Sequence, residues 1–355
     1  MSAAPRVLFV PVSGPGGAGE YYRSLAIARA VERQWPAAVI SFVMSRDAPL
    51  VADAPYMVHR VERSPTYETA AVQRILADVR PDVVVFDSSG RVAQYRSARA
   101  LGARTVFVSS RPSTRRKGFS LRRLWALDQH WIVAPRFLGG GLGAIERIKL
   151  ALAPRCEPIF LDVLYDPVDD AATLALQSRL GVEPGRYVLA CPGGGGHAIE
   201  GREPWQVYLE ASRRVAAQCG LPVVAVLGPR AAGAIDVPGV RVLGSLPNAV
   251  LMGLARDAQC GLVNGGSLLV QAIALGLPCV AAPISDDQPA RVAACVSQGL
   301  VLAAALDAGE LASGAAALGD GGVRAGLARR LASLGVANGI DVAVAALGRL
   351  LATPR

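Results

Sequence analysis

The chain has 355 residues, of which 52% are apolar, and it carries a formal net charge of +9. Such a length suits two domains of ordinary size, each with its own core, and the apolar content excludes a disordered protein. No apolar run reaches the length of a membrane-spanning helix, and Met1 to Pro11 lacks a signal-peptide pattern, so we expect a cytoplasmic protein.

The charge is unevenly distributed along the chain. Residues 1–155 contain 23 Lys and Arg against 11 Asp and Glu, a net charge of +12, whereas residues 156–355 contain 14 against 17, a net charge of −3. This asymmetry predicts that the first half of the chain binds an anionic partner. The alternative is a solvated basic surface without such a partner.

The cysteine pattern argues against metal binding. The six cysteines are scattered without a C-x-x-C pair, and most lie within apolar segments: Cys156, Cys191, Cys219, Cys260, Cys279 and Cys295. They are typical of reduced core residues, so we expect no zinc site. No other cluster of metal ligands is visible in the sequence, and we expect no metal or cofactor.

The amino-terminal segment predicts the opening unit of a doubly wound domain. A strand over Arg6 to Val12 leads into a glycine-rich loop, Ser13 to Gly19, and a helix follows over Glu20 to Gln34. Dinucleotide binding is the common interpretation of such a loop. It is disfavoured because no G-x-G-x-x-G is present and no acidic residue ends a clear second strand.

Further strands recur at intervals typical of an α/β protein. They are predicted at Val39–Met44, Asp82–Phe86, Arg104–Val108 and Trp131–Ala134, with helices at Thr66–Val79 and Arg91–Leu101. Polar residues follow two of these strands, at Asp87–Gly90 and Ser109–Arg111. Because the carboxyl ends of parallel strands line the ligand crevice in this architecture, we expect both segments there.

The most basic stretch runs from Arg111 to Arg123. Its basic residues are interleaved with apolar ones: Arg111, Arg115, Arg116, Lys117, Arg122 and Arg123 with Phe119, Leu121, Leu124, Trp125 and Leu127. Such a segment can lie on an anionic membrane surface, can bind phosphates, or can be an ordinary helix with a polar face. Nucleic acid is disfavoured because aromatic residues make up only 5% of the chain and no nucleic-acid motif is present.

A segment rich in glycine and proline, from Gly139 to Pro158, predicts a domain boundary near residue 155. We therefore expect domains at 1–155 and 156–335, with 336–355 forming a helix that packs back on the first domain. The second domain opens with a strand at Tyr187–Cys191, followed by four glycines and His197. A backbone without side chains can approach a ligand closely, and His197 is either a ligand-binding or a structural residue.

The later elements of the second domain alternate in the same way. Helices are predicted at Ala172–Leu180, Pro204–Cys219 and Ala249–Arg256, strands at Pro222–Leu227 and Val240–Gly244, and three short helices in the tail, Asp307–Leu351.

A tight turn between two buried strands carries the strongest signal. Cys260–Val263 and Cys279–Pro283 are apolar strands, and Asn264-Gly265-Gly266-Ser267 between them opens a helix. The backbone N–H groups and the positive end of the helix dipole at such a turn favour a phosphate. Asp286-Asp287-Gln288-Pro289 follows the second strand, where an acid also suits a helix N-cap.

These segments together resemble the donor-binding region of GT-B nucleotide-sugar enzymes. Gly265-Gly266-Ser267, Gln271, Gly276-Leu277-Pro278 and Asp287-Gln288 have the family's spacing. The chain is similar to the UDP-N-acetylglucosamine transferase of peptidoglycan synthesis (glycosyltransferase family 28) and to the UDP-sugar hydrolase of pseudaminic acid synthesis. The resemblance implies an α/β fold with two Rossmann-like doubly wound domains facing across a cleft.

The resemblance also assigns residues to roles. It places the nucleotide sugar on Gly193, Gly194, Gly195, Gly196, His197, Leu246, Gly265, Gly266, Ser267, Gln271, Asp287 and Gln288, and the acceptor near Gly17, Arg23, Ser110, Arg111, Arg115 and Arg116. Glu20 stands where the family has a catalytic His, and is either the base or a cap of the first helix. Gln271 replaces a Glu, and Ser245 replaces an aromatic residue beside the uracil site.

Three functions follow from the resemblance. The first is a metal-independent glycosyltransferase that moves a sugar from a nucleotide diphosphate, expected to be UDP, to an anionic or membrane-associated acceptor at the inner face of the membrane. The second is a nucleotide-sugar hydrolase or epimerase, and the third is a non-catalytic nucleotide-sugar binding protein.

Overall fold

The computed structural model describes residues 4–13, 19–48, 54–193, 203–228 and 236–352. The chain divides into two compact units: the first is Met1–Leu164 together with Asn338–Arg355, and the second is Tyr165–Ala337. The division falls later than the predicted boundary at residue 155, because the segment Glu157–Leu161 forms the last strand of the first sheet rather than a linker.

The first unit is built on a seven-stranded parallel sheet with the order β3-β2-β1-β4-β5-β6-β7. Its strands are β1 Arg6–Pro11, β2 Val39–Ser45, β3 Met57–Val61, β4 Val83–Asp87, β5 Arg104–Ser109, β6 Gln129–Val133 and β7 Glu157–Leu161. The central strands are unbroken apolar runs because helices cover both faces of the sheet. The order reverses between β1 and β4, which is the switch point of this sheet.

The helices of the first unit are mostly short. They are α1 Gly19–Gln34, α2 Thr69–Val79, α3 Val92–Ala100, α4 Pro112–Gly118, α5 Leu121–Leu124, a 3₁₀ turn at Arg136–Leu138, α6 Ala144–Ala151 and, at the end of the chain, α14 Ile340–Ala352. Ile340, Ala343 and Leu347 of α14 are buried in the same cluster as Val7 and Ile27, so the carboxyl-terminal helix packs on this unit.

The second unit has a six-stranded parallel sheet with the order β10-β9-β8-β11-β12-β13. Its strands are β8 Val188–Cys191, β9 Val223–Val226, β10 Val240–Leu243, β11 Cys260–Asn264, β12 Cys279–Ala282 and β13 Leu302–Ala303. Its helices are α7 Asp170–Leu180, α8 Pro204–Cys219, α9 Asn248–Asp257, α10 Ser267–Ala274, α11 Pro289–Ser297, α12 Ala308–Gly319 and α13 Gly321–Ser333. The order reverses between β8 and β11.

The two doubly wound parallel units confirm the predicted α/β class. All six cysteines are free thiols and five of them are buried, as expected of core residues. Within the described ranges no helix is both long and apolar enough to cross a bilayer.

Candidate functional site

The switch point of the second sheet brings two loops together. β8 and β11 are neighbours, and the segments after them leave from the same edge of the sheet. Asn264, the last residue of β11, donates its amide Nδ2–H to the carbonyl oxygen of Pro192 over 2.6 Å. The loop after β8 and the turn before α10 are therefore joined at the position where open α/β sheets bind ligands.

Glycines permit the close approach of these loops. Gly193 has a φ of +89°, and a Cβ atom there would collide with the Asn264 amide. A Cβ on Gly265 would come within 2.7 Å of Val292 Cγ2 and 3.0 Å of Gln288 Cβ. The turn is therefore packed against α11 so tightly that only glycine fits.

Two backbone N–H groups of the predicted phosphate-binding turn donate hydrogen bonds within the protein. Gly265 donates its N–H to the Ala282 carbonyl over 3.2 Å, and Gly266 donates to Asn264 Oδ1 over 2.8 Å. Both glycines thus use their N–H groups within the protein, and a diphosphate on these two donors would have to compete with these hydrogen bonds. The N-cap of α10 is Gly266, which has no side chain to cap the first turn that begins at Ser267.

Gln288 stabilises the loop after β12. Its side chain is buried, and its Oε1 accepts a hydrogen bond from the Ile284 N–H over 2.8 Å. Arg291 on α11 donates to the Gly265 carbonyl over 2.7 Å. The Arg291 contact holds the turn before α10 against α11, while Gln288 holds the loop after β12.

Three other predicted donor residues lie on the surface of the second unit. Asp287 is exposed and accepts a hydrogen bond from the Ser285 hydroxyl over 2.8 Å. Gln271 lies in α10 one turn after the exposed Ser267, and Leu246 lies half-buried between β10 and α9. Gly194, Gly195, Gly196 and His197 lie outside the described residues, so their predicted roles stay predictions.

A buried ion pair occupies the switch point of the first sheet. Arg23 on α1 donates from Nε to Asp87 Oδ2 over 2.8 Å and from Nη2 to Asp87 Oδ1, and Ser24 Oγ lies 3.3 Å from Oδ2. Both charged side chains are buried. Burial raises the pKa of the Asp87 carboxyl to about 6, although the Arg23 guanidinium opposes this shift. The Arg23 side chain, predicted to bind the acceptor, is engaged by Asp87.

Glu20 lies at the same end of the first sheet. It is in the first turn of α1, where a carboxylate interacts favourably with the helix dipole, and its side chain is largely buried. Arg111 Nη2 lies 3.6 Å from Glu20 Oε1, and half-buried Ser110 precedes Arg111 after β5. The structure therefore brings Glu20 close to Arg111, while Gly17 lies outside the described residues.

Arg115 is bound within the first unit. Its Nε and Nη2 donate to the two carboxylate oxygens of Glu146 over 2.8 and 2.6 Å, and Nη1 and Nη2 donate to the carbonyls of Gly139 and Gly141. An acceptor that bound Arg115 would have to compete with these contacts. Arg116, the next residue, is exposed.

The basic stretch from Arg111 to Arg123 does not form one amphipathic helix. It folds into α4 and α5, and its apolar side chains Phe119, Leu124 and Leu127 are buried in the core. These three side chains are not available to a bilayer, whereas Trp125 is 54% exposed, so the predicted membrane contact through this segment would rest on its charges and on Trp125.

His130 was not identified from the sequence. It lies on β6 with no exposed surface, its Nε2 is 2.9 Å from Ser109 Oγ, and its ring packs against Phe107 and Phe119. Burial, with a smaller effect of Arg115, lowers its pKa to about 3. A neutral His130 thus supports Ser109, which directly precedes the candidate acceptor residues Ser110 and Arg111. Gln129 and His130 are polar residues in an otherwise apolar strand, and this was the available signal.

The described residues contain no group of three or more His, Cys, Asp or Glu side chains arranged to hold a metal ion. The polar atoms that converge at both switch points are amide, hydroxyl, guanidinium and isolated carboxylate groups. This donor set suits hydroxyl and phosphate groups of an organic ligand.

Solved structures of glycosyltransferases share the fold of the whole chain. UGT2 of Phytolacca americana, solved with UDP-2-fluoro-glucose and pterostilbene, aligns over 98% of this chain and 99% of its own with a TM-score of 0.66 and 12% identity. SnogD from Streptomyces nogalater aligns over 98% of this chain and 99% of its own, with a TM-score of 0.66 and 20% identity. The spinosyn rhamnosyltransferase SpnG aligns over 98% of this chain and 100% of its own, with a TM-score of 0.66 and 17% identity.

At these identities the likeness establishes the fold, which is the GT-B fold of glycosyltransferases. No protein-family model matches the sequence, and no curated protein matches it. The specific resemblance to the peptidoglycan transferase and to the pseudaminic acid pathway hydrolase stays a prediction.

Proposed function

We propose that the protein is a glycosyltransferase that uses a nucleoside diphosphate sugar, with UDP as the expected carrier. The observation that carries this proposal is the start of α10, whose N-cap Gly266 has no side chain and which opens at the switch point of the second sheet. A diphosphate there meets the N–H groups of the first helical turn and the positive end of the helix dipole. The GT-B fold supports the same assignment.

The donor would bind on the second unit. The Ser267 hydroxyl and the first-turn N–H groups of α10 face the diphosphate, and Gln271, one turn further along, is placed for ribose hydroxyls. Asp287 accepts hydrogen bonds from the sugar. Asn264 acts on the turn itself, which its hydrogen bonds hold in place, and Gln288 holds the neighbouring loop after β12 through the Ile284 N–H.

The acceptor would bind on the first unit, with Glu20 as the base. Glu20 removes the proton of an acceptor hydroxyl, the hydroxyl oxygen forms a bond to the anomeric carbon, and the bond from that carbon to the diphosphate breaks. The charge on the leaving diphosphate is stabilised by the N-terminus of α10, so no metal is required. Arg111, 3.6 Å from Glu20, positions its carboxylate.

The charge of the first unit supports an anionic acceptor. Arg111 and Arg116 are exposed and follow the carboxyl end of β5, and residues 1–155 carry a net charge of +12. A carboxylate or phosphate on the acceptor would gain charge-assisted hydrogen bonds from these guanidinium groups.

Donor turnover with and without acceptor tests the proposal. Purified protein is incubated with a set of nucleotide sugars in EDTA, and nucleotide release is measured alone and with anionic acceptor fractions. Release that requires the acceptor supports transfer; release without it indicates a hydrolase, and binding without release indicates a binding protein.

A variant of the proposed base sharpens this test. We expect Glu20→Gln to lower acceptor-dependent turnover by about a hundredfold or more while donor affinity stays the same. Glu183→Gln, at an exposed carboxylate of the second unit, is the control and retains full turnover. Unchanged turnover of Glu20→Gln would remove Glu20 from the mechanism.

A further inference from the structure

The helix α6 exposes an apolar stripe. Ile145, Ile148 and Leu152 lie three and four residues apart, on one side of the helix, and are 68%, 63% and 59% exposed. Trp125 is 54% exposed and donates its indole N–H to the Leu152 carbonyl over 3.1 Å, which extends the stripe by one aromatic ring. We call these four residues the α6 face.

The orientation of α6 is set by a polar contact on its other side. Glu146 points inward and binds the Arg115 guanidinium, while Gly143 donates its N–H to Glu146 Oε2 over 2.9 Å. Of the apolar residues, Leu150 is half-buried and Ala153 is fully buried. The helix therefore presents its acid to the protein and its largest aliphatic side chains to the outside, which is the reverse of an ordinary surface helix.

Single exposed apolar side chains are common, but four adjacent large ones are not. Patches of this kind on a protein surface mark contacts with a membrane or with another protein. Trp beside aliphatic residues is typical of side chains that enter the boundary between headgroups and acyl chains.

The charges around the α6 face distinguish between these partners. Arg147 and Lys149 lie on the same helix, the charge of Glu146 is neutralised by Arg115, and Arg155, just beyond the helix, is paired with Asp128 over 2.9 Å. Residues 1–155 carry a net charge of +12. A second copy of the same face would bring like charges together, whereas anionic headgroups would be attracted.

We propose that the α6 face docks the protein on an anionic lipid surface, with Ile145, Ile148, Leu152 and Trp125 entering the interface and Arg147 and Lys149 contacting headgroups. The proposal does not depend on the sugar chemistry. It places the membrane contact on α6 and the adjacent Trp125 rather than on the segment Arg111–Arg123, in which Phe119 is buried.

Vesicle co-sedimentation of the full chain tests the docking surface. We expect binding to vesicles of phosphatidylcholine with about one third phosphatidylglycerol, and at least about tenfold weaker binding to pure phosphatidylcholine. The triple variant Ile145→Ser, Ile148→Ser, Leu152→Ser should lose at least about tenfold in affinity for the anionic vesicles. The control Leu174→Ser, at an apolar side chain of the second unit that is 61% exposed, should bind as the wild type does.

Two further measurements keep the proposal falsifiable if the triple variant folds poorly. The variant Arg147→Glu, Lys149→Glu leaves the apolar side chains in place and should bind anionic vesicles at least about tenfold more weakly. Trp125→Phe should retain binding but lose the blue shift of tryptophan emission that vesicles produce, because Trp125 is the exposed indole beside α6.

Absence of wild-type binding to anionic vesicles, or equal binding by the triple variant, overturns the proposal. So does a wild-type dimer in sedimentation equilibrium that the triple variant abolishes without any change in vesicle binding, since the α6 face would then be an interface between copies of the chain. Donor turnover measured without lipid reports on the proposed function separately.

Discussion

Asn264 joins the two loops of the second switch point with one side chain. Its Nδ2–H donates to the Pro192 carbonyl over 2.6 Å, and its Oδ1 accepts the Gly266 N–H over 2.8 Å. The side chain is buried, so both partners depend on it for hydrogen bonding. The start of α10, where we place the diphosphate, is held by this residue.

Replacing Asn264 by Ala should therefore weaken both folding and donor binding. Loss of the two hydrogen bonds in a buried position should cost about 1–3 kcal/mol of unfolding free energy, measured by urea denaturation. Affinity for the best nucleotide should fall about tenfold, measured by calorimetry, because the turn is no longer fixed. Gln177→Ala removes another buried amide of the second unit and should cost stability without changing this affinity. If Asn264→Ala binds the nucleotide with unchanged affinity, this turn does not contribute to the nucleotide site.

Glycine at position 265 should be essential to the packing of the same turn. In Gly265→Ala the new methyl group meets Val292 Cγ2 at 2.7 Å and Gln288 Cβ at 3.0 Å, and neither atom is the end of a flexible chain. We expect a loss of about 1–3 kcal/mol in unfolding free energy. Gly326→Ala, inside α13 with open space around it, should instead stabilise the protein by about 0.5–1 kcal/mol. Equal effects of the two substitutions would contradict this account.

The ion pair between Arg23 and Asp87 should show strong coupling. Arg23→Met leaves the Asp87 carboxylate buried without its partner and should cost about 3–5 kcal/mol of unfolding free energy at pH 7. The double variant Arg23→Met, Asp87→Leu should recover much of this loss, because no charge remains buried. A double-mutant cycle by chemical denaturation measures the coupling, and additive effects would show that the pair is not a unit.

His130 should contribute to the loss of stability in acid. Burial lowers its pKa to about 3, whereas the unfolded chain titrates near the ordinary value of 6.5. The unfolded state therefore binds a proton that the folded state excludes, so stability is fully present above pH 6.5 and is lost as the pH falls toward 3.

Between pH 6 and pH 4 this loss amounts to about 2–3 kcal/mol of unfolding free energy. In His130→Phe that part of the pH dependence should disappear, as measured by urea denaturation at several pH values. His59→Gln is the control at another histidine with a lowered pKa that is less buried, and it should retain most of the dependence. An unchanged pH profile in His130→Phe would show that the folded protein takes up the proton at low cost.

The sequence alone predicted the strands and helix starts whose signal is local. Unbroken apolar runs such as Cys260–Val263 identified the central strands, because a strand covered on both faces excludes polar side chains. The Gly-Gly-Ser turn predicted the start of α10, because glycines permit the tight turn that precedes the helix. The edge strands β3, β7 and β13 were not predicted, since they are partly exposed, short or interrupted by proline and so lack the pattern of a buried strand.

Tertiary structure decided which donors and charges remain available at each site. The sequence indicated Gly266 and Arg115 as ligand-binding groups by their type, but Gly266 donates to Asn264, and Arg115 binds Glu146, 31 residues further along the chain. It also could not show that α6 turns its isoleucines outward, because that orientation depends on the same distant ion pair. Local sequence determines the backbone pattern through propensity and periodicity, whereas hydrogen-bond partners are chosen by the packing of distant elements.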